Sequence, residues 1–577
     1  MASLRNEYPR PQLVREDWQC LNGKWGFYID NGRSGMDRNY AVNGDFPMEI
    51  NVPFCPESEL SGIGITDFMY TVWYKKAFTL PEKWSGKDII LHFGAVDFFS
   101  VVFVNGTRVG SHTGGYTPFW FNITPYLKEG ENVIVVCADD DTRSGLQASG
   151  KQSHKHESFG CYYTRTTGIW QTVWLEAVEK AYVQNVNYVS NITEPSVNVS
   201  VKLSGEYIGK KLLIETSYEG RETGKAEIEC NGNTVSADIK LSEKQLWEAG
   251  IGRLYDVKIT LSDGEKVYDS VKSYFGLREV GISGMAFTLN GKNFFGRWVL
   301  DQGFYPDGIY TAPSDEALKN DIIYSMQLGF NGARLHEKVF EPRFLYWADV
   351  LGYTVWGEYP NWGVDHHNAN ACYNVLPEWL ESMERDIAHP SIIGWCPFNE
   401  TWGAPNNKMV RTVYLATKAA DATRPVIDTS GNYHTVTDIF DVHDYDQNPE
   451  TFKANYSELD KGIAKDQIFR KEGNKPQQYT AGKPFFMSEY GGIRWTDKES
   501  GWGYGVGPKD EAEFFYRYKG LTEAMLFNEL VLGFCYTQLY DVEQEQNGLM
   551  TYDRKFKFDP ERIAVINRQI AAIEKNS

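Results

Sequence analysis

Ile392-Ile-Gly-Trp-Cys-Pro-Phe-Asn399-Glu400 is an apolar run that stops on a carboxylate, and Pro484-Phe-Phe-Met-Ser-Glu489-Tyr-Gly-Gly492 repeats the form further along the chain. Neither run alternates apolar with polar residues, so each suits a strand buried on both faces, as in a parallel sheet covered by helices. Strands of the same kind are expected at Asn293–Leu300, Phe330–His336, Tyr353–Glu358, Pro425–Thr429, Phe440–Tyr445 and Leu530–Gln538. Between most of them lie helical segments, at Pro342–Leu351, Pro377–Ala388, Lys408–Ala420 and Asp510–Asn528, and Ser314 with Asp315 and Glu316 reads as an N-cap and first turn. Eight strands alternating with helices over residues 279–577 predict a (β/α)8 TIM barrel.

Upstream the rhythm is different. From Trp18 to about Ala177 short β runs are punctuated by Gly, Pro and Asn, and in Ser100-Val-Val-Phe-Val-Asn105-Gly106-Thr-Arg-Val-Gly110 the Asn-Gly pair supplies the two φ > 0 residues of a tight hairpin. Residues 1–178 are therefore expected to form a jelly-roll β-sandwich. Alternating stretches such as Ser196–Lys202 and Arg253–Leu261 continue without a long helical period, so 179–278 is expected to be an immunoglobulin-like sandwich.

Of the 577 residues, 42% are hydrophobic and 23% charged, an ordinary globular balance in which almost everything should fold. A net charge of −19 disfavours nucleic acid as a partner. There is no apolar run long enough for a membrane span, and Met1-Ala-Ser-Leu-Arg-Asn-Glu-Tyr-Pro-Arg10 lacks a signal peptide's apolar stretch, so a cytoplasmic protein is expected. Eight scattered cysteines without a C-x-x-C pair read as reduced thiols rather than a zinc ribbon or a disulfide scaffold.

In a barrel of this kind catalytic groups stand where strands end at the C-terminal face. One strand-end glutamate alone is as readily a structural ion-pair partner; two, in matching polar contexts on the fourth and seventh strands, point to paired-carboxyl chemistry. Cleavage of a glycosidic bond needs one carboxyl group protonated to assist the departing oxygen and another ionised to attack or to activate water.

The chain resembles glycoside hydrolase family 2, the family of β-galactosidases, β-glucuronidases and β-mannosidases, over nearly its whole length. The segments that carry the resemblance are Leu21-Asn-Gly-Lys-Trp-Gly-Phe27, Val72-Trp-Tyr-Lys-Lys76, Gly114-Gly-Tyr-Thr-Pro118 and Thr167-Gly-Ile-Trp-Gln-Thr-Val-Trp174, then Asn331-Gly-Ala-Arg334-Leu-His336 and Asn399-Glu400 in the barrel. It implies Glu400 as acid/base and Glu489 as nucleophile, with Asn399 on the sugar 2-hydroxyl. Arg334 would hold Glu489 ionised, Tyr445 would bond it, and His336 and His443 would be pocket neighbours. The implied activity is that of a retaining exo-β-glycosidase acting on a carbohydrate or glycoconjugate.

Substrate identity is less constrained. The glucuronidase Asn-x-Lys pair has no counterpart in Gln546-Asn547-Gly-Leu-Met-Thr-Tyr-Asp-Arg554-Lys-Phe-Lys557, although Arg554 or Lys557 offers another geometry for a uronate. The galactosidase magnesium pattern is not continued after Glu358, so no required metal is expected, and Tyr536 stands where the family's eighth-strand tryptophan is expected. Asp301, Glu358, Tyr536, Gln538 and Asp541 are the remaining candidates for contacts to the sugar. An uncharged hexose or pentose is expected, with β-galactoside first and β-glucuronide, β-galacturonide or arabinopyranoside as alternatives. A non-catalytic carbohydrate-binding protein is the competing class, disfavoured by the presence of both glutamates. The sandwich domains offer surfaces for a homo-oligomer.

Overall fold

A computed structural model describes residues 5–401, 407–464, 471–472, 475–477 and 479–576. The N-terminal strands, Trp18–Cys20 to Val173–Val178, form a four-stranded and a six-stranded antiparallel sheet packed face to face. Trp25, Phe27, Tyr74, Leu91 and Val136 lie in the layer between them. The expected hairpin is present: Phe99–Val104 and Thr107–Thr113 are joined by Asn105 (φ 50°) and Gly106 (φ 80°), as a type I′ turn requires.

Seven further strands, from Ala181–Asn191 to Val267–Phe275, make the second sandwich as sheets of three and four strands. It docks on the side of the barrel where strands begin. Trp247 Nε1 donates to the Asp349 carbonyl at 2.8 Å, and Arg278 donates to the carbonyls of Pro390 and Ile392 at 2.9 Å each. Ile392 opens its strand, so this domain lies away from the strand ends that carry chemistry.

The C-terminal domain is a (β/α)8 barrel. Seven parallel strands neighbour one another in the order Ile392–Cys396, Thr354–Glu358, Gly332–Leu335, Gly296–Asp301, Val531–Thr537, Phe485–Gly491, Phe440–Asp444. The expected fifth strand, Pro425–Thr429, is not a regular strand. It fills the eighth position through single backbone bonds to the fourth, from Trp395 N to Pro425 O (3.1 Å), Ile427 N to Trp395 O (3.0 Å) and Glu400 N to Ser430 O (2.9 Å). On its other side it is held by carboxylates: Ser430 Oγ and Gly431 N donate to Asp441 Oδ2 at 2.6 and 3.1 Å, and Val426 N to Asp438 Oδ2 at 2.9 Å. Apart from one backbone bond, Asp438 N to Val426 O at 3.0 Å, side-chain acceptors thus stand in for a ladder at the seam.

Inside the barrel, Trp298, Trp356, Ile393, Phe486, Leu532 and Cys535 fill the cross-section, with Phe287 of a small antiparallel sheet closing one end. Helix Asp315–Gln327 starts where Ser314 Oγ accepts from Ala317 N at 3.1 Å. Helix Cys372–Asp386 begins five residues before the expected Pro377. Proline there removes one backbone donor, and the carbonyl left unpaired, on Tyr373, belongs to an exposed residue that water can satisfy.

The N-terminal sandwich docks on the barrel through two of its segments, residues 114–118 and 167–174. Tyr116 N donates to Glu378 Oε1 at 2.9 Å, Thr311 Oγ1 to the Trp170 carbonyl at 2.5 Å, and the hydroxyls of Tyr116 and Tyr310 meet at 3.2 Å. At Gly150 (φ 54°) an added Cβ would lie 2.2 Å from the Glu337 carbonyl oxygen, so only glycine lets this loop approach the barrel so closely.

Candidate active site

Glu400 and Glu489 end up facing each other across the barrel mouth. Glu400 follows the fourth strand in a left-handed backbone conformation (φ 41°), pinned by its N–H to the Ser430 carbonyl. The residue before it is clamped by one side chain: Asn361 Oδ1 accepts from Asn399 N at 2.6 Å, and Asn361 Nδ2 donates to Asn399 O at 3.0 Å. Glu489 stands near the end of strand Phe485–Gly491. Ligand atoms of Glu400, His443 and Glu489 all lie within 4.8 Å of one another, and both carboxylates are buried, 8% and 4% exposed.

A network of fixed charge surrounds them. The Arg334 guanidinium donates through Nε to Glu358 Oε1 (2.5 Å) and through Nη1 to Glu489 Oε1 (3.0 Å) and the Ser488 carbonyl (2.8 Å). Its Nη2 donates to Asn399 Oδ1 (3.2 Å). His336 Nδ1 faces Glu358 Oε2 at 3.2 Å and Glu489 Oε1 at 3.8 Å. Tyr445 donates its hydroxyl to Glu489 Oε2. His443 Nδ1 lies 2.6 Å from Glu400 Oε1 and 3.4 Å from Glu489 Oε2, while its Nε2 is 3.0 Å from Ser430 Oγ.

Burial by itself would raise the Glu489 carboxyl; the His443 and His336 rings, the Arg334 guanidinium and Lys151 outweigh it and hold it down at about 2, so it is a carboxylate at neutral pH. His336 is pushed well below the ordinary histidine range, by burial first and by Lys151 next, and is neutral. Asn399 spends its carbonyl oxygen on Arg334, and its amide nitrogen is buried without an acceptor among the described residues, the state of a donor kept for a ligand.

The expected residues separate into three groups. Glu400, Glu489, Asn399, Arg334, His336, His443 and Tyr445 converge. Glu358 joins them as an anchor: both its oxygens are taken by Arg334 and His336, so it orients those groups rather than being free to meet a sugar. Gln538 lies at the rim in a relay in which Gln302 Nε2 donates to Gln538 Oε1, Gln538 Nε2 to Asn547 Oδ1 and Asn547 Nδ2 to Glu545 Oε1, at 2.9, 2.9 and 3.0 Å; Tyr163 of the N-terminal domain closes it on Glu545 at 2.5 Å.

Asp301 ends the first strand, where it accepts from Tyr540 and, at 3.0 Å, from Gly303 N. Asp541 is further off. It pairs with Lys557 at 2.6 Å, in a 680 Å³ cleft with Trp495, Thr496 and Tyr552. Tyr536 is not brought to the site. Side chains alternate along a strand, so Cys535 and Thr537 point inward while the Tyr536 ring packs outward on Tyr518 (5.0 Å) and Tyr490 (5.5 Å). Thr537 is the inward residue, 3.2 Å from the Tyr445 hydroxyl. Neither basic residue suggested for a uronate is free: Arg554 is paired with Asp321 at 3.0 Å and Lys557 with Asp541.

Comparison with known sequences matches residues 18–177 to "Glycosyl hydrolases family 2, sugar binding domain", 170–278 to "Glycosyl hydrolases family 2" and 282–526 to "Glycosyl hydrolases family 2, TIM barrel domain". The chain belongs to glycosyl hydrolase family 2. Similar proteins include a β-galactosidase of Thermoanaerobacter pseudethanolicus, 28% identical over 57% of this chain and 44% of that protein, and a β-glucuronidase of Paenibacillus borealis, 24% identical over 68% and 69%. The chain thus spans less than half the length of the Thermoanaerobacter relative. A β-glucuronidase of Ruminococcus gnavus in complex with D-glucuronic acid has the same fold, with a TM-score of 0.79 and 20% identity over 97% of this chain and 99% of that one.

Sequence reading does not find Asn361, Ser430, Thr537, Glu545 or Tyr163. Only Asn361 carries a local signal, as a polar residue just beyond a barrel strand at the catalytic end.

Proposed function

We propose that the protein is a retaining, exo-acting β-glycosidase working by double displacement. Glu489 attacks the anomeric carbon as Glu400 gives its proton to the departing glycosidic oxygen, leaving a glycosyl ester on Glu489. Glu400, now ionised, takes a proton from water as the water oxygen attacks the same carbon, and Glu489 leaves as carboxylate. The observation that carries this reading is the approach of the two carboxyl groups, with an oxygen of one within 4.8 Å of an oxygen of the other. That is the close spacing of a retaining pair; an inverting pair stands further apart to admit water. The Asn399 amide, buried and unpaired, suits a bond to the 2-hydroxyl that strengthens as the oxocarbenium-like state forms.

The groups that could hold a cation here, Glu400, His443 and Glu489, are the reacting acids and their histidine, so we read the chemistry as metal-free. Eight unpaired cysteines favour a reducing compartment and hence the cytoplasm; among the described residues no helix is long and apolar enough to cross a membrane. For the sugar, neutral β-galactosides and arabinopyranosides compete with β-uronides, and relatives bear both names. The test is a 2-fluoro glycoside with mass spectrometry: label on Glu489 alone supports the assignment, and label elsewhere, or full turnover by Glu489→Gln, refutes it.

A further inference from the structure

Four cations at the barrel mouth are already committed. Arg334 serves Glu358 and Glu489, Lys338 donates to the carbonyls of Gly303 and Tyr310, Arg554 pairs with Asp321, and Lys557 with Asp541. Lys151 is different. It comes from the N-terminal domain, is 5% exposed, and lies with its ammonium 3.7 Å from the centre of the Trp362 ring. Among the described residues that ammonium forms no hydrogen bond and has no carboxylate within 4.0 Å. An ammonium carries three donors; on a side chain this enclosed they are left to the solvent of the pocket, which a ligand's acceptors can replace.

Its position is built, not incidental. Ser149 N and Gly150 N donate to the Trp362 carbonyl at 2.8 and 3.1 Å, Tyr163 N donates to the Lys151 carbonyl at 2.7 Å, and Trp362 N donates to Glu337 Oε2 at 3.1 Å. Trp362 follows Asn361, whose side chain clamps Asn399 beside Glu400. The ammonium therefore reaches the rim of the same pocket. Burial would lower its pKa, but Cys161, Glu545, Glu400 and Glu489 more than offset that, and it stays charged.

We propose that Lys151 is a specificity-determining residue that binds a carboxylate of the substrate, so that the terminal sugar is a hexuronic acid. This rests on the glycosidase reading above and departs from the neutral hexose expected from the sequence. The cation–π contact of the ammonium with Trp362 and the Gly150 contact with the barrel hold the charge in place, and a carboxylate supplies acceptors that the protein does not.

The test measures binding with turnover disabled. In a Glu489→Gln background, calorimetry compares 4-nitrophenyl β-D-galacturonide and β-D-glucuronide with the matching galactoside and glucoside, and with 4-carboxyphenyl β-D-galactoside, which carries its charge on the leaving group. One uronide is expected to bind at least about 30-fold tighter than its neutral counterpart, the scale of a charge-assisted hydrogen bond. Lys151→Met should collapse that ratio and Lys151→Arg should keep part of it. A neutral glycoside bound as tightly as its uronide, or a ratio that survives Lys151→Met, overturns the proposal. A Lys151-dependent preference for the carboxyphenyl galactoside overturns the hexuronide assignment by moving the carboxylate to the leaving group. Wild-type turnover is scored separately: a uronide that binds the Glu489→Gln variant but is not hydrolysed by the wild type refutes the glycosidase reading and leaves the Lys151 assignment supported.

Discussion

Replacing Arg334 by methionine keeps roughly the volume of the side chain and removes its charge from a site that is 1% exposed. Glu358 loses a 2.5 Å partner and Glu489 a 3.0 Å partner, both in the interior. Breaking a buried pair from one side typically costs about 3–5 kcal/mol, because the acids left behind stay desolvated. The same cation helps hold Glu489 at about 2. The sign is that of a depressed carboxyl: its contribution to stability is present above the ordinary value of 4.5 and is lost as pH falls toward about 2. Without Arg334 the carboxyl moves upward, with His443, His336 and Lys151 left to oppose burial. The acid limb of kcat/KM, which reports ionisation of the nucleophile in the free enzyme, should shift up by about one pH unit or more. At neutral pH kcat/KM should fall roughly 100-fold or more, the kinetic equivalent of about 3 kcal/mol. The assay is kcat/KM against pH on the best nitrophenyl glycoside, with urea unfolding at neutral pH. An unchanged acid limb together with stability within about 1 kcal/mol of wild type would show that the Arg334–Glu489 contact does not set the nucleophile's charge.

Asn361→Ala removes the clamp on Asn399 and should lower kcat by about 100-fold with a smaller effect on KM, since a small displacement of Glu400 is enough; steady-state kinetics decide this, and a pure KM effect counts against it. Tyr536→Phe should change kcat/KM by less than about threefold, because the ring faces the helical layer; a large KM increase would place it in the pocket instead. Treatment with a chelator should leave activity in place, and a strong loss restored by magnesium would show that the carboxylates act with a metal. Gly150→Ala should destabilise the docking of the Lys151 loop, since the added methyl meets the Glu337 carbonyl, and should weaken substrate binding together with thermal stability.

The barrel is legible because its strands are local patterns: apolar runs closed by turns, separated by helices with readable starts, capped at Ser314 and Asp510 and opened by proline at Pro342. The fifth strand is overread for the same reason. Pro425–Thr429 has the composition of a strand, but beyond one backbone bond from Asp438 its outer side is met by the Asp438 carboxylate, and the following Ser430 and Gly431 by that of Asp441, in place of a ladder. Register misleads at Tyr536, since a one-residue offset at a strand end exchanges the pocket face for the helical one.

The amino-acid sequence by itself determined the three-part architecture, the two glutamates and the residues that mark the family, because each is written as a short run with its own periodicity or strand-end position. Only the tertiary structure decided that Glu358 is an anchor, that Arg554 and Lys557 are already paired, and that Lys151 and Tyr163 of the N-terminal domain reach the barrel mouth. Those outcomes depend on charges from different segments, in the case of Arg554 and Asp321 more than two hundred residues apart, sharing one desolvated space, where a pairing is settled by distance and burial that no local pattern encodes.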